Sequence, residues 1–244
     1  MATHYINIPN PQGDSMGQSL RSLLNVLEQW SKFADKKELL IDLSKALFVH
    51  PFFILPLCAL CDNEKEKGKK IHFKLSKNIE SYLVTINFPS GFDAIANENW
   101  EKDLLKFSTK TYLPVCKIPA NTKHTNIREQ LLTTFENILI HQANIKGQMI
   151  TAVKYLISEA MDNIIEHAES KNGWIMVQSY PQKGYIDICI ADTGSGILGS
   201  YKKIGDTEIT SHTKALQFAI NGKSTKKITE THVVMELTPH DECL

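Results

Sequence analysis

No charge of either sign dominates this chain. Its 244 residues carry 27 Lys plus Arg and 27 Asp plus Glu, a net of zero. Nucleic acid or an anionic membrane would call for a positive field, so neither is expected as a partner. Cysteine is scarce, with five residues at positions 58, 61, 116, 189 and 243. Cys58-x-x-Cys61 has no second pair, which argues against zinc and for two thiols buried on a helix. Such scattered cysteines fit a reducing compartment, and the expected location is the cytoplasm. Long apolar runs are missing too. The longest, 46–61, is broken by His50 and Pro51. No secretory leader pattern and no membrane-spanning stretch is expected. Internal repeats and low-complexity segments are absent. The run EKEKGKK, 64–70, reads as a solvated helix end and turn. Glycine is missing from the last stretch, 228–244, which reads ITETHVVMELTPHDECL.

Two short motifs are present, and their order matters. The first is Glu159-x-x-x-Asn163-x-x-x-His167. A helical residue turns about 100°, so these three side chains share one face. Ile150, Val153, Ile157, Met161, Ile164 and Ala168 form an apolar stripe that can pack on a sheet. A carboxylate on the polar face can deprotonate a hydroxyl or a water, and an amide oxygen is a hard ligand for Mg²⁺ beside phosphates. Taken alone, a solvated polar face explains the helix equally well. The second motif is Asp192-Thr193-Gly194-Ser195-Gly196-Ile197. It follows a hairpin pattern in which 174–180 and 185–191 flank Pro181-Gln182-Lys183-Gly184. Asp192 then ends a strand, and the glycines allow the backbone to turn and approach a ligand.

Helix, hairpin and D-x-G-x-G-I in this order resemble the first two nucleotide-binding boxes of the GHKL ATPase superfamily. That superfamily includes gyrase, the heat-shock chaperone ATPase, the histidine kinases and the anti-sigma-factor kinases. The resemblance implies ATP and Mg²⁺ as cofactors. It implies that Glu159 is the general base, that Asn163 holds Mg²⁺, and that Asp192, Gly194, Gly196 and Ile197 form the adenine box. His167 matches a frequent histidine of the first box, and capping of helix carbonyls explains it as well as ligand contact. Residues 198–220 match the ATP lid. Gly222, Ser224 and Thr225, in NGKSTK, resemble the G-x-[ST]-[ST] element that closes many lids. Lys223 and Lys226 there either meet phosphate charge or form a solvated basic loop.

The superfamily's third box, a G-x-G at the start of the next helix, is not found before residue 244. A shifted reading frame from His232 onward allows Arg-Gly-Tyr-Gly-Ile, with the second glycine forced by Met235-Glu236. The C-terminus is therefore expected to be truncated or frame-shifted relative to the family.

In the N-terminal half, 38–43 reads as a buried strand. Ser44-Lys45 make a turn before a short strand at Phe48-Val49. Pro51 opens an apolar helix, and 71–75 and 82–87 read as strands. This hydrophobic pattern resembles a STAS-like fold, that of anti-anti-sigma factors. His50-Pro51-Phe52-Phe53 occupies the place of their phosphorylatable serine, so this half should not accept phosphate. Residues 130–148 read as a linking helix. The boundary is expected between 107 and 125, where Pro114 and Pro119 lie.

The expected fold class is α+β in two domains. Residues 1–115 would be a STAS-like α/β regulatory domain. Residues 116–244 would be a GHKL α/β sandwich, a mixed sheet covered by helices on one face and incomplete at its C-terminus. The expected function is that of an ATP-binding regulatory protein, an anti-sigma-type serine/threonine kinase or ATPase. A sigma factor, a STAS-type antagonist or another regulator would be its protein partner, and a homodimer is compatible. The alternative is a non-catalytic ATP-gated interaction module. A sensor histidine kinase fits less well, because His141-Gln142-Ala143-Asn144 lacks the acidic residue and proline of a phospho-acceptor box.

Overall fold

Apolar spacing in the first half of the chain switches repeatedly between periods of two and of three to four. The structure, a computed structural model, describes residues 4–8, 16–32, 36–143 and 147–223. The chain divides into two compact units, Met1–Ser195 and Gly196–Leu244.

The first unit begins with β1 (His4–Asn7), α1 (Met16–Lys32), β2 (Glu38–Leu43), α2 (Pro51–Glu66) and β3 (Lys70–Leu75). The strands form a parallel sheet in the order β1-β2-β3. Parallel neighbours need crossovers, and α1 and α2 are those crossovers. On β2, Leu39, Ile41 and Leu43 are buried and alternate with half-buried Glu38, Leu40 and Asp42. Ion pairs tie the open face to β3: Glu38 to His72 at 3.0 Å and Asp42 to Lys74 at 3.2 Å.

Next come α3 (Lys77–Thr85), β4 (Phe92–Asp93), α4 (Trp100–Leu105), β5 (Tyr112–Pro119), α5 (Thr125–Ala143), α6 (Gln148–Asn163), β6 (Asn172–Tyr180) and β7 (Tyr185–Ala191). A second, mixed sheet runs β4-β5-β6-β7. β4 pairs parallel to β5, and the other two pairings are antiparallel. The molecule is thus α+β, with a parallel three-stranded sheet and its helices followed by a mixed four-stranded sheet and its helices. The hairpin β6-β7 and the helix opened by Pro51 match the sequence reading.

α2 decides how the first unit is layered. It is apolar around most of its circumference, with Phe53, Ile54, Leu55, Leu57, Cys58, Ala59 and Cys61 buried. A helix of that kind must be covered on more than one side. It contacts α1 and β3 as well as β6 and β7. Its apolar cluster includes Leu39 and Ile41 of the parallel sheet and Trp174 and Met176 of the mixed sheet. Burying each such side chain is worth about 1.5–3 kcal/mol. The opposite face of the mixed sheet carries α5 and α6 through Leu131, Phe135, Ile138, Ile157, Met161 and Ile164. The mixed sheet therefore has helices on both faces, where the sequence suggests one.

Five local expectations are corrected. Residues 82–85, read as the start of a strand, lie in α3, because Ile79, Leu83 and Ile86 are buried at helical spacing. Phe48-Val49 is not a strand: Phe48 is exposed, and His50 already caps α2. The helix expected at 130–148 is α5, which ends at Ala143 and packs on the sheet rather than linking. Pro114 and Pro119, read as marks of a linker, lie in β5, where the pairing with β6 slips between Leu113 and Cys116. A bulge is a place where a strand tolerates proline. Within 64–70, Glu64 is buried rather than solvated. Burial raises its pKa, but bonds from Lys67 and Lys69 outweigh that and hold the carboxyl below its usual range.

The second unit contains α7 (Gly196–Lys203) and α8 (His212–Ile220), packed around Leu198, Tyr201, Ile209 and Ala215. Ser211 caps α8 by accepting from the Lys214 N–H at 3.2 Å. Ser224, Thr225, Lys226 and the glycine-free tail, with its frame-shift expectation, lie outside the described residues. Among the described residues, no helix is long and apolar enough to cross a membrane.

Candidate functional site

Three elements of the first unit meet at Gly173. A Cβ there would lie 3.0 Å from Met161 Cε and 3.0 Å from Ile164 Cδ1, so a larger residue would push those side-chain ends away by a few tenths of an ångström, and glycine accommodates the close approach of the helix to β6. Gly173 precedes Trp174, whose partner across the hairpin is Ala191, the residue before Asp192. The ends of α6 and β7 are thus brought to the same corner of the mixed sheet.

Strand alternation says which face Asp192 takes. Cys189 and Ala191 pack on the α2 side, whereas Ile188 and Ile190 pack with α5 and α6. One more step puts Asp192 on the α6 side. Asp192 is exposed, and its Oδ1 accepts the Gly194 N–H at 2.7 Å. Thr193 turns the other way. Its hydroxyl lies 3.4 Å from Ser170 Oγ, and it borders a polar cavity of about 200 Å³ that Asp62, Asn63 and Asn172 also line.

Glu159 and Asn163 are both exposed on α6. The helix then widens into a π-helical turn over Ile164–Ala168, and Glu169 closes it at a left-handed φ of 54°. The α-helical spacing that would carry residue 167 onto the stripe of Glu159 and Asn163 therefore ends at Asn163. The apolar stripe behaves as the sequence suggests, with Ile157, Met161 and Ile164 buried.

In the second unit, Gly196 has a φ of 65°, a conformation natural to glycine, and opens α7. Ile197 is exposed on α7. Gly222 has a φ of 81° just past α8. Lys223, read as a candidate phosphate contact, is engaged within its own unit. Its Nζ lies 2.7 Å from Asp206 Oδ2 and 4.7 Å from the Phe218 ring centroid. The Lys223 hydrogen bond holds the Asp206 carboxyl below its usual range.

Among the described residues, the cysteines have no redox or metal-binding arrangement. Cys58, Cys61 and Cys116 are buried and free, and Cys189 is half-buried. Burial pushes the Cys58 thiol well above its usual pKa and that of Cys61 to about 12. These thiols stay protonated and inert at neutral pH. Among the described residues, no cluster of three or more His, Cys, Asp or Glu side chains is arranged to hold a metal ion.

A second polar cluster escaped the motif reading. His50 Nδ1 accepts the Phe52 N–H at 3.2 Å, and His50 Nε2 lies 3.1 Å from Asp187 Oδ2 on β7. The signal was present in the sequence. Asp187 has the same strand parity as Cys189 and Ala191, so it was bound to face the interior. Comparison with protein-family models, with curated proteins and with solved structures gives no match for this chain.

Proposed function

We propose that the chain binds Mg-ATP at the corner of the mixed sheet where α6 and β7 end, as a regulatory ATPase or anti-sigma-type serine/threonine kinase of GHKL kind. The observation that carries this reading is the convergence at Gly173. The helix bearing Glu159 and Asn163 ends against the residue beside the strand end that bears Asp192. Two motifs separated in sequence lie on elements whose ends pack near one corner of the sheet, which supports a common ligand.

The donor set suits the ligand. Asp192 Oδ1 is engaged by the Gly194 N–H. Its carboxylate retains capacity to accept from an exocyclic amine. The exposed amide oxygen of Asn163 suits Mg²⁺, which takes few protein ligands and completes its shell with phosphate and water. Bound Mg²⁺ would neutralise phosphate charge during transfer. Glu159, one turn earlier on the helix, would take the proton of the attacking hydroxyl or water. The N-terminal half is read as a STAS-like regulatory element, and a protein such as a sigma factor or its antagonist as the partner.

A second reading is an ATP-gated interaction module without useful turnover. It is favoured by the apolar core that α2 shares with both sheets. A shift at Asp192 would then be felt through β7 and α2 without any chemistry.

Calorimetric titration of ATP and Mg²⁺ into wild type and Asp192→Asn tests the shared premise. The charge-assisted bond is worth about 1.5–3 kcal/mol, so the variant should bind roughly ten- to a hundredfold more weakly. Equal affinity would overturn the nucleotide reading.

A further inference from the structure

β7 is the last strand of the mixed sheet, and among the described residues it is paired along one edge alone, the β6 edge. The direction of each backbone group follows from the register. Ser179 of β6 donates its N–H to the Thr111 carbonyl beside β5, so Ser179 and its alternates Val177 and Ile175 turn their backbone groups toward β5. Tyr180, Gln178, Met176 and Trp174 therefore turn theirs toward β7, where they face Tyr185, Asp187, Cys189 and Ala191. Ile186, Ile188 and Ile190 are left with N–H and C=O groups that point out of the sheet. Among the described residues, no backbone group outside the sheet bonds to them. An alternating row of free donors and acceptors at strand spacing is a template for another strand.

Sheets that leave an edge bare blunt it with lysine, proline or a bulge. β7, YIDICIA, has none of these, and its register with β6 runs unbroken from Tyr185 to Ala191. Its one charge, Asp187, turns under α2, where His50 Nε2 lies 3.1 Å away. The edge also has a receptacle beside it. A mainly apolar cavity of about 260 Å³ lies between the first turns of α2 and β7, walled by Phe52, Leu55 and Pro56 and by residues 187–191. Ile188 and Ile190 line it as well as Cys189 and Ala191, so it opens along the edge of the strand rather than under one face. An added strand lies about 4.8 Å from β7, and its residue opposite Cys189 shares the α2 face of Cys189. The cavity can take that one side chain. A dry cavity of about 150 Å³ admits benzene, so a phenylalanine ring has room here.

We propose that the free edge of β7 is a docking site for an extended peptide segment of a partner protein, which adds a strand to the mixed sheet and places one large apolar side chain in the cavity beside α2. Backbone bonds to Ile186, Ile188 and Ile190 supply affinity, and the cavity supplies selectivity. A second copy of this chain fits less well. Two-fold pairing about Ile188 would set Asp187 of each copy opposite Cys189 of the other, at the mouth of an apolar cavity that offers its carboxylate no new donor. Nothing in this edge depends on nucleotide at Asp192, so it is tested without ATP.

The probe is a synthetic peptide of about seven residues, the length of β7, titrated into the full chain by calorimetry. Threonine alternates in it with valine, and phenylalanine replaces the central valine. One modified form carries an N-methyl group on the phenylalanine amide, and another carries it on the two flanking threonine amides. Only alternate amides of an added strand face β7. One form should therefore lose binding at least about tenfold, and the other should bind like the parent. Loss on the threonines means an antiparallel strand, and loss on the phenylalanine a parallel one. Aspartate in place of the central phenylalanine should abolish binding. In the protein, Ile188→Pro removes an outward N–H at a position where an edge strand tolerates proline. Ile186→Pro is the gentler variant should Ile188→Pro fail to fold, and either should weaken the peptide at least about tenfold. Cys189→Phe should block it by filling the cavity. The proposal is overturned if the two N-methylated forms behave alike, if the aspartate peptide binds as well as the parent, or if a folded proline or Cys189→Phe variant binds the parent like wild type. Absence of binding by the parent peptide overturns it too. So does a dimer of the chain alone in sedimentation that Ile188→Pro converts to monomer, because a second copy then occupies the edge.

Discussion

Asp187 and Asp192 belong to one strand and its end, yet they live in different chemistry. Asp187 points toward α2, its side chain is 15% exposed, and its carboxylate lies 3.1 Å from His50 Nε2 and beside the Tyr180 hydroxyl. Asp192 is exposed, takes the other face, and is held by the Gly194 N–H. They are five positions apart, an odd offset, so strand alternation sends them to opposite sides of the sheet. A motif identifies Asp192. Only packing identifies Asp187, because its environment is made by a helix more than a hundred residues earlier. The two aspartates therefore probe the two faces of the same strand separately.

The sharpest way to separate the faces is through chemistry. Glu159→Gln should keep ATP affinity and lower hydrolysis or phosphoryl transfer by roughly 10²–10⁴-fold, the span of a general base. Single-turnover kinetics beside an ATP titration would measure both. Normal turnover in the variant would leave the ATP-gated module as the surviving reading. Next in size is the paired comparison of the aspartates. Asp192→Asn should weaken ATP binding by roughly ten- to a hundredfold, whereas Asp187→Asn should leave it within about twofold. Similar losses in both variants would mean that the faces are coupled and the comparison fails.

Gly173→Ala attacks the corner itself. The new methyl meets Met161 and Ile164 side-chain ends at 3.0 Å, so α6 must shift or its side chains must turn. The expected cost is about 1–2 kcal/mol in denaturant unfolding, with weaker ATP binding alongside. A variant as stable as wild type, with unaltered ATP affinity, would remove the argument from close approach. The smallest effect is expected at Tyr180→Phe. Its hydroxyl is buried beside the Asp187 carboxylate and is placed to donate to it, so removing it should cost up to about 1 kcal/mol. Unchanged stability in urea unfolding would show that the hydroxyl makes no such bond.

Much of the local structure was legible. β2, the helix opened by Pro51, the hairpin β6-β7 and the apolar stripe of α6 follow from periodicity, capping and turn residues. The misreadings share a cause. Residues 82–85 hold Tyr, Val and Thr, types that favour strands, yet the long-range burial of Leu83 beside Ile79 decided for helix. Pro114 signals a break, yet a bulge in β5 accommodates it between two partners that the local sequence cannot reveal. α5 looked like a connector because its packing surface is on distant strands. At the candidate site, Glu159, Asn163 and Asp192 were named from spacing. Gly173, where their elements approach, was not among them.

The positions of β2, α2 and the β6-β7 hairpin, the exposed stripe on α6 and the face of each β7 residue were determined by sequence alone, because 3.6-residue and two-residue periods are local properties of the backbone. Tertiary structure decided what those faces meet. An almost wholly apolar helix such as α2 has no preferred side of its own, so its burial between two sheets was settled only when both were present. That same burial made Asp187, His50 and Tyr180 a cluster, since a carboxylate trades its water for protein donors only after neighbouring elements have covered it.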